Sequence, residues 1–500
     1  MRLLLALAAI LLGTGCASQA QVPAPGGVPK RRATLLFTGD LWGQLEPCGC
    51  SADMRGGVDR LASFVRETRA AGPTLLVDAG DALHDELEVP PEVKVQADRR
   101  AAAMVRALVA MGIDAKVAFE RDAGGAFPPG VLVTGPAVRE VGGVRVGLAP
   151  FDALPPGTEA EALRQRVEAT RALGADVVVA LVHGVRDRVV ALAPHSGADL
   201  LVGSHVRDIP EGDRARAALG KVPVFFTQAR GQSVLRIDLV LRGDGPLQIL
   251  QGEQERDAEI ESIGERIRSY EQRASRLSSD AEREPFRRKV EELRARRRAL
   301  SRGAAPAPAE GSYLAHRFVP VTRDLPSDGA VKEILTAYDR EIASANLAFA
   351  KAQNKVCEKP SAGEAGYVGE AACATCHQAA HDFWAQTRHA EAYATLERAN
   401  KQYDLACVSC HVTGWEKPGG ACRVDEVDHR KDVGCESCHG PGSLHAANPV
   451  AAKLERRTAE ATCRGCHTAD HSTEFDYAAY LSRILGPGHG APVAAETARP

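Results

Sequence analysis

The segment Cys373-Ala-Thr-Cys376-His377 is the first of four Cys-X-X-Cys-His motifs in the C-terminal part of this 500-residue chain. In such a motif the two thiols can form thioether bonds to one edge of a haem, and the histidine lies under the iron. Zinc sites or disulfides would not require a histidine after every cysteine pair. The pattern predicts four covalent haems, held by Cys373, Cys376 and His377; Cys407, Cys410 and His411; Cys435, Cys438 and His439; and Cys463, Cys466 and His467.

Further histidines in the same part of the chain could supply a second axial ligand to each iron. Two imidazoles leave no open coordination position and suit electron transfer, whereas an iron with one imidazole could bind a small ligand. The candidates are His381, His389, His429, His445, His471 and His489.

The sequence around the motifs resembles the tetrahaem cytochrome family typified by the electron acceptor for hydroxylamine oxidation in nitrifying bacteria. The resemblance covers about 367–490 and is carried by Tyr367–Cys373, Trp384–His389, Val433–His445 and Ile484–His489. It implies a mainly helical tetrahaem domain over 366–492 with closely stacked haems. It marks His389, His445 and His489 as distal ligands, and it leaves the fourth position to His381, to His429 or to a five-coordinate haem.

Residues 33–250 have a different pattern, in which short apolar runs alternate with helix-forming segments. This alternation predicts a layered α/β domain. Four candidate metal ligands, Asp40, Asp81, His183 and His205, each follow an apolar run. Since ligand sites form where the carboxyl ends of strands meet, we expect these side chains to converge. Carboxylates and imidazoles together can bind divalent metals that activate water.

The order of these residues resembles the 5′-nucleotidase branch of the calcineurin-like metallophosphatases. The chain departs from that family at Trp42 and Arg207, which stand where metal-binding histidines belong, and over Val117–Asp122, where an asparagine ligand and a catalytic histidine are missing. The resemblance implies that one metal site keeps only Asp40 and Asp81. The other would use Asp81, His183, His205 and, as a further candidate, Glu120. We expect a domain that is not a competent phosphoesterase and binds one divalent metal.

Five cysteines lie outside the haem motifs. Cys48 and Cys50 follow Asp40 closely, and both a redox or metal role and a structural disulfide are open for them. Together with Asp81 and His183 they are the residues to which catalysis could be assigned. Cys357 and Cys422 could form a disulfide with each other, and Cys16 belongs to the leader.

The N-terminus has the composition of a secretion signal. A short apolar run after Arg2 leads to Gly15-Cys16, so residues 1–16 resemble a bacterial lipoprotein signal peptide with Cys16 as the lipidated residue. Residues 17–32 then form a tether. We expect an exported protein of the periplasm or cell envelope, attached to a membrane by a lipid anchor.

Residues 253–301 have apolar positions spaced by three and four among many arginines and glutamates. This spacing predicts a helical hairpin with a coiled-coil seam, through which chains could also self-associate. Residues 313–352 read as a strand and a helix that complete the α/β domain. The formal net charge of −3 gives no general case for nucleic-acid binding.

These features favour a multihaem c-type cytochrome that carries electrons to and from redox partner proteins, with a metallophosphatase-like N-terminal domain. One alternative is a multihaem redox enzyme that acts on a small nitrogen or sulfur compound. Another is a metal-dependent 5′-nucleotidase-like hydrolase. An electron-transfer protein is favoured over either enzyme because the haem motifs are intact and the hydrolase motifs are not.

Overall fold

The computed structural model contains two β-sheets that pack face to face, with helices on their outer surfaces. It describes residues 31–489 except 48–53, 123, 154–158, 209–217, 219, 244, 251–252, 276–279, 302–307, 309, 354, 469–470 and 473–474. The predicted signal peptide with Cys16, most of the tether 17–32, and the pair Cys48 and Cys50 lie outside the described residues.

Twelve strands are found in the described part of the chain. They are β1 (Arg31–Thr38), β2 (Thr74–Asp78), β3 (Ala115–Val117), β4 (Leu132–Val133), β5 (Ala137–Val141), β6 (Val144–Asp152), β7 (Val177–His183), β8 (Leu200–Ser204), β9 (Val224–Phe226), β10 (Ser233–Leu241), β11 (Leu247–Leu250) and β12 (Ser312–Pro320). The seven-stranded sheet has the order β11-β12-β10-β1-β2-β3-β4, and the five-stranded sheet has the order β5-β6-β7-β8-β9.

Parallel pairing brings the ends of neighbouring strands level with each other. In the first sheet β1 to β4 are parallel, and Thr38 at the end of β1 pairs with Asp78 at the end of β2. In the second sheet β6 to β9 are parallel, and His183 pairs with Ser204. The loops that follow these four residues therefore leave from the carboxyl ends of parallel strands, where the sequence predicts a site.

Seven helices belong to the N-terminal two-thirds of the described chain. They are α1 (Val58–Ala71), α2 (Pro91–Ala110), α3 (Glu159–Ala172), α4 (Arg186–Leu192), α5 (Glu253–Ser275), α6 (Asp280–Leu300) and α7 (Gly329–Gln353). Alternation along β1 shows how the layers form: Leu35 and Phe37 point between the sheets, and Leu36 packs against α1, α2 and α7. Helices α3 and α4 cover the second sheet.

Helices α5 and α6 form the arm between β11 and β12. These two strands are parallel neighbours, so the chain must cross over between them, and the arm forms the crossover. Ile263 and Ile267 of α5 pack with Val290, Leu293 and Leu300 of α6 in a small buried cluster. The apolar spacing in the sequence thus corresponds to the contact between the two helices.

The C-terminal part consists of short helices: α8 (Glu370–Trp384), α9 (Ala392–Ala399), α10 (Leu405–His411), α11 (Cys435–His439), α12 (Ser443–Ala447), α13 (Glu460–Arg464) and α14 (Tyr477–Ile484). A disulfide joins Cys357 to Cys422, as the sequence predicted. Among the described residues, no helix has the length and apolar character that a membrane span requires.

The buried ammonium group of Lys116 pairs with two carboxylates near the carboxyl ends of the strands in the first sheet. The Lys116 Nζ lies 2.9 Å from Asp78 Oδ1 and 2.8 Å from Asp122 Oδ2, and all three side chains are fully buried. Burial disfavours the charge on Lys116, but Asp78 and Asp122 hold its pKa above the ordinary value. Asp122 also accepts hydrogen bonds from the backbone amides of Asp81 and Ala82, at 2.9 and 2.8 Å.

Replacing Lys116 should therefore destabilise the fold strongly. Lys116→Met leaves two buried carboxylates without their cation, and loss of one partner of a buried pair costs about 3–5 kcal/mol. We expect a fall of this size in the free energy of unfolding, measured by urea denaturation with circular dichroism. Lys94→Met is the matched control, because Lys94 pairs with Asp98 on the surface and such pairs contribute about 1 kcal/mol or less. Equal losses in the two variants would contradict this assignment.

Candidate functional site

Three of the predicted metal ligands converge at the carboxyl ends of the strands. Asp81, His183 and His205 each offer a ligand atom, and these atoms lie within 4.8 Å of one another. His183 Nε2 is 3.2 Å from Asp81 Oδ2, and His205 Nδ1 is 3.5 Å from the same oxygen. Asp81 follows β2, His183 is the last residue of β7, and His205 follows β8. Both sheets therefore contribute to the cluster.

The backbone at this edge adopts the left-handed conformation at several residues other than glycine. The φ angles are 53° at Asp40, 48° at Trp42, 54° at Asp81 and 73° at His205. Such conformations are uncommon for these residue types, and they persist where surrounding contacts fix them. Their concentration at one edge of the sheets marks it as a candidate site.

Asp40 lies next to the cluster and stabilises the backbone around it by hydrogen bonds. Its buried carboxylate accepts hydrogen bonds from the backbone amides of His205, at 3.0 Å, and Val206, at 3.2 Å, and from the Thr227 hydroxyl. Burial and then the neighbouring charge of Asp81 raise the pKa of Asp40 to about 6. Because its oxygens already accept these bonds, Asp40 holds the loop of His205 in place.

Asp81 has the features of a cation ligand. Its Oδ1 atom is buried and has no hydrogen-bond partner in the described structure. Burial opposes ionisation, but hydrogen bonds from His183 and His205 hold the pKa of Asp81 well below its usual value. An ionised carboxylate oxygen without a donor fits a bound cation, since buried charges are normally compensated.

His183 is oriented from its other side. Its Nδ1 atom lies 3.2 Å from Asp152 Oδ1, and Phe119 stacks on the imidazole with ring centroids 4.3 Å apart. A carboxylate on the second ring nitrogen directs the first nitrogen towards a metal. The residues present therefore fit one divalent cation beside Asp81. Sequence reasoning did not identify Asp152, which ends β6, although its position at a strand end resembles that of the predicted ligands.

Two guanidinium groups lie at the same edge of the sheets as the three-residue cluster. The Arg207 guanidinium lies over the Trp42 ring, 4.5 Å from its centroid. The Arg121 Nε lies 3.5 Å from Asp81 Oδ2, and this guanidinium also donates to the Asp85 carbonyl. Glu120, a predicted fourth ligand, is exposed on the turn Glu120–Asp122 and is not in the cluster. A second cation at this edge would have to compete with these guanidinium groups.

The four Cys-X-X-Cys-His motifs lie on or at the ends of helices α8, α10, α11 and α13. None of their eight cysteines, all within the described chain, is in a disulfide, and all eight are at least partly accessible. Helices α8, α13 and α14 bury no residue. The C-terminal part thus has little apolar core of its own, which fits a domain built around a large apolar group.

Two pairs of imidazoles have the separation that a shared iron requires. The ring centroids of His377 and His445 are 6.2 Å apart, and those of His389 and His467 are 6.3 Å apart. Imidazole nitrogens bind first-row metals at about 2 Å, so two imidazoles on opposite sides of one iron have centres about 6 Å apart. His489 is close enough to His439 for burial and the His439 charge to lower its pKa.

Hydrogen bonds set the tautomer of several of these histidines. His439 Nδ1 lies 2.7 Å from the Glu455 carbonyl, and His445 Nδ1 lies 2.8 Å from the Ala452 carbonyl. His411 Nδ1 lies 2.5 Å from the Ala392 carbonyl. A carbonyl can only accept, so Nδ1 carries the proton and the Nε2 lone pair is available to a metal. The residues therefore fit haem ligation.

The other candidate ligands have different surroundings. His381 lies on α8 beside Trp384, with ring centroids 5.5 Å apart. His429 contacts the backbone around Gly369, just before α8. His471 Nδ1 lies 2.8 Å from the Thr468 hydroxyl. These contacts leave the fourth distal position open to His381, to His429 or to a five-coordinate haem.

Thiols of different motifs lie next to one another. Cys373 interacts with Cys435, and Cys410 interacts with Cys466. Burial and the neighbouring Cys463 raise the pKa of Cys438. The first motif is thus in contact with the third and the second with the fourth, and the fourth motif lies within electrostatic range of the third.

Comparison with known proteins gives results for both parts of the chain. Residues 372–440 match the family "Cytochrome c554 and c-prime". Cytochrome c-554 of Nitrosomonas europaea is 34% identical over 96 residues, which cover 16% of this chain and 41% of that protein. The chain thus spans about two-fifths of the length of this curated relative.

Solved structures similar to the chain include two from Thermus thermophilus. The sulfate thiohydrolase SoxB is 18% identical, with 65% of this chain and 62% of that chain covered and a TM-score of 0.38. A 5′-nucleotidase precursor is 16% identical, with 74% and 68% covered and a TM-score of 0.40. Residues 372–440 are therefore similar to the family "Cytochrome c554 and c-prime", and they follow an N-terminal part of layered α/β sheets.

Proposed function

We propose that this protein is a multihaem c-type cytochrome that transfers electrons through four covalently attached haems. The observation that carries the proposal is the spacing of the pairs His377–His445 and His389–His467, at 6.2 and 6.3 Å, next to motif thiols. When bound, haem supplies one-electron chemistry at its iron. The chain would hold each group by two cysteines and one histidine. In the second and third motifs the Nδ1 atom of that histidine, His411 or His439, donates to a backbone carbonyl and so fixes the ring.

The contacts between thiols support an order for the four sites. The first motif lies beside the third and the second beside the fourth. The charge of Cys463 in the fourth motif acts on Cys438 in the third, so these two motifs are also near each other. Electrons would then pass along this order, with the first and second motifs at the two ends. A chain of close sites suits a carrier that receives electrons at one end and delivers them at the other.

The location and partners of the protein follow from the same proposal. The leader 1–16 would direct export, and Cys16 would attach the chain to a membrane facing the periplasm. Separate redox proteins would donate and accept the electrons, and no nucleic acid would take part. Self-association through the arm 253–301 is a further proposal, and it would have to use the outer face of the arm, because the apolar seam packs within one chain.

A single divalent cation in the N-terminal part is a second proposal. It is favoured by the unpartnered Asp81 Oδ1 atom, by the two imidazoles within reach, and by Asp152 behind His183. A second cation is disfavoured by the Arg121 guanidinium beside Asp81 and by Trp42, which stands in place of a histidine. Phosphoester hydrolysis that needs two metals is therefore also disfavoured. The cation would stabilise this edge of the sheets without making the domain a phosphoesterase.

Haem stoichiometry tests the main proposal. The purified protein should contain four haems per chain, measured as pyridine haemochromogen together with iron. The double variant Cys463→Ala/Cys466→Ala should contain three, because one haem loses both thioether bonds. Cys357→Ala/Cys422→Ala also removes two cysteines, but outside the motifs, and should keep four. Fewer than four haems in the unchanged protein would refute the proposal.

Replacement of distal ligands should change single haems. We expect His389→Ala, His445→Ala and His489→Ala each to convert one low-spin haem to a high-spin haem that binds carbon monoxide, because an axial position opens. Electron paramagnetic resonance and carbon monoxide difference spectra measure this change. His195→Ala, on the exposed surface of the α/β part, should have no effect. His381→Ala and His429→Ala would identify the fourth ligand; a low-spin spectrum in His445→Ala would contradict the pairing with His377.

Metal titration tests the N-terminal site. Calorimetry of the haem-loaded protein with manganese or zinc should give one ion per chain at this site. His183→Ala should weaken binding at least about tenfold, since even loss of an outer-shell partner has an effect of this size. His195→Ala should bind as the unchanged protein does. Two ions per chain, or nucleotide hydrolysis that His183→Ala abolishes, would overturn the single-cation proposal.

A further inference from the structure

Helix α10, which carries the second haem motif, begins at the junction between the two parts of the chain. Asp404 precedes the helix, and its side chain accepts a hydrogen bond from the Ala406 amide at 2.9 Å, as an N-cap does. The same carboxylate oxygen accepts a hydrogen bond from Gln96 of α2. Two residues therefore bind the N-terminus of α10: Asp404, which directly precedes the helix, and Gln96, which lies more than 300 positions earlier in the chain.

The polar atoms of the Gln96 side chain find their hydrogen-bond partners at this junction. Its side-chain oxygen accepts hydrogen bonds from the Leu405 amide, at 3.2 Å, and from Asn346 Nδ2, at 2.8 Å. Asn346, on α7, also donates to the Tyr403 carbonyl at 2.7 Å. Gln96 and Asn346 are only 4% and 5% exposed, so water cannot readily replace these bonds.

A second contact holds the chain just before the helix. Lys401 Nζ lies 2.6 Å from Glu46 and 2.9 Å from Asp339 of α7. Glu46 is also paired with Lys332 at 2.9 Å. The segment 401–405 is thus fixed on the α/β part by an ion-pair network and by buried amide hydrogen bonds.

We propose that Gln96 and Asn346 of the α/β part are positioning residues for the second haem motif, Cys407–His411. Helix α10 has seven residues, and Cys407 lies within its first turn. Any displacement of the helix start therefore displaces a haem-bearing cysteine, and with it the orientation of His411. This inference rests on the proposed function, because it takes this motif to hold a haem.

The junction also sets the charge beside the motif. Asp404 is 9% exposed and lies three residues before Cys407. A buried negative charge stabilises the oxidised, more positive state of a nearby haem, since net charge and burial set haem potentials. The α/β part thus acts on the second motif in two ways that can be separated: Gln96 fixes its position, and Asp404 contributes charge.

Two variants of the full-length, haem-loaded protein separate these effects. Gln96→Leu removes the hydrogen bonds to Asp404 and Leu405 and retains the charge. Asp404→Asn keeps an N-cap and an acceptor for Gln96 but removes the charge. Gln165→Leu is the matched control, since Gln165 is exposed on α3 and bonds only to Glu161 of its own helix. Asn346→Ala serves as the second positioning variant if Gln96→Leu does not fold.

Hydrogen exchange and potentiometry are the readouts. In Gln96→Leu, amides of Leu405–His411 should exchange at least about tenfold faster, because the helix start opens more readily. In Asp404→Asn, their exchange should stay unchanged, while one of the four reduction steps moves to a more positive potential. That step should be the one missing from a Cys407→Ala/Cys410→Ala variant. Gln165→Leu should change neither readout.

The outcomes distinguish this inference from the function on which it rests. Fewer than four haems in the unchanged protein would overturn the proposed function. Four haems, with unchanged exchange over Leu405–His411 in both Gln96→Leu and Asn346→Ala, would overturn the positioning role alone. Unchanged potentials in Asp404→Asn would overturn the role of charge.

Discussion

The Lys116 ammonium group between Asp78 and Asp122 is the interaction on which both parts of the molecule depend. Asp122 accepts hydrogen bonds from the amides of Asp81 and Ala82, and it can do so as a buried anion only because Lys116 compensates its charge. These amides begin the loop that runs from the cluster of Asp81, His183 and His205 to α2. Gln96 lies on α2, so this loop leads into the helix that contacts the segment before the second motif.

The two parts of the chain are stabilised in different ways. The α/β part buries extensive apolar surface between and outside its sheets. The C-terminal part has one small apolar cluster, the disulfide between Cys357 and Cys422, and several helices that bury nothing. Short helices of this kind are not stable alone. Covalent haem would supply the missing core, and the buried junction with the α/β part would stabilise the segment around the second motif.

The sequence allowed much of this arrangement to be predicted, because several signals are local. Strands followed by Asp81, His183 and His205 indicated a cluster at the carboxyl ends of the strands, and these side chains do meet. The α/β layers, the helical arm and the disulfide were also predicted. Glu120 was expected near the cluster but is exposed, since Asp122 is the residue of that turn that points inwards. The contacts of Gln96 with Asp404 could not be predicted, because neither residue belongs to a motif and more than 300 residues separate them.

The strained backbone at the edge of the sheets has a consequence beyond metal binding. Left-handed residues of these types cost about 1–3 kcal/mol each, so they persist only where contacts over-determine them. Here the Trp42 amide bonds to the Asp81 carbonyl at 3.0 Å, and Asp40 bonds to the His205 amide. These contacts fix the start of two loops, 41–47 and 82–90. The first loop carries Glu46 to Lys401, and the second leads into α2 and Gln96. The edge that holds the cluster of Asp81, His183 and His205 thus also fixes the start of the two loops that lead to the contacts with the C-terminal part.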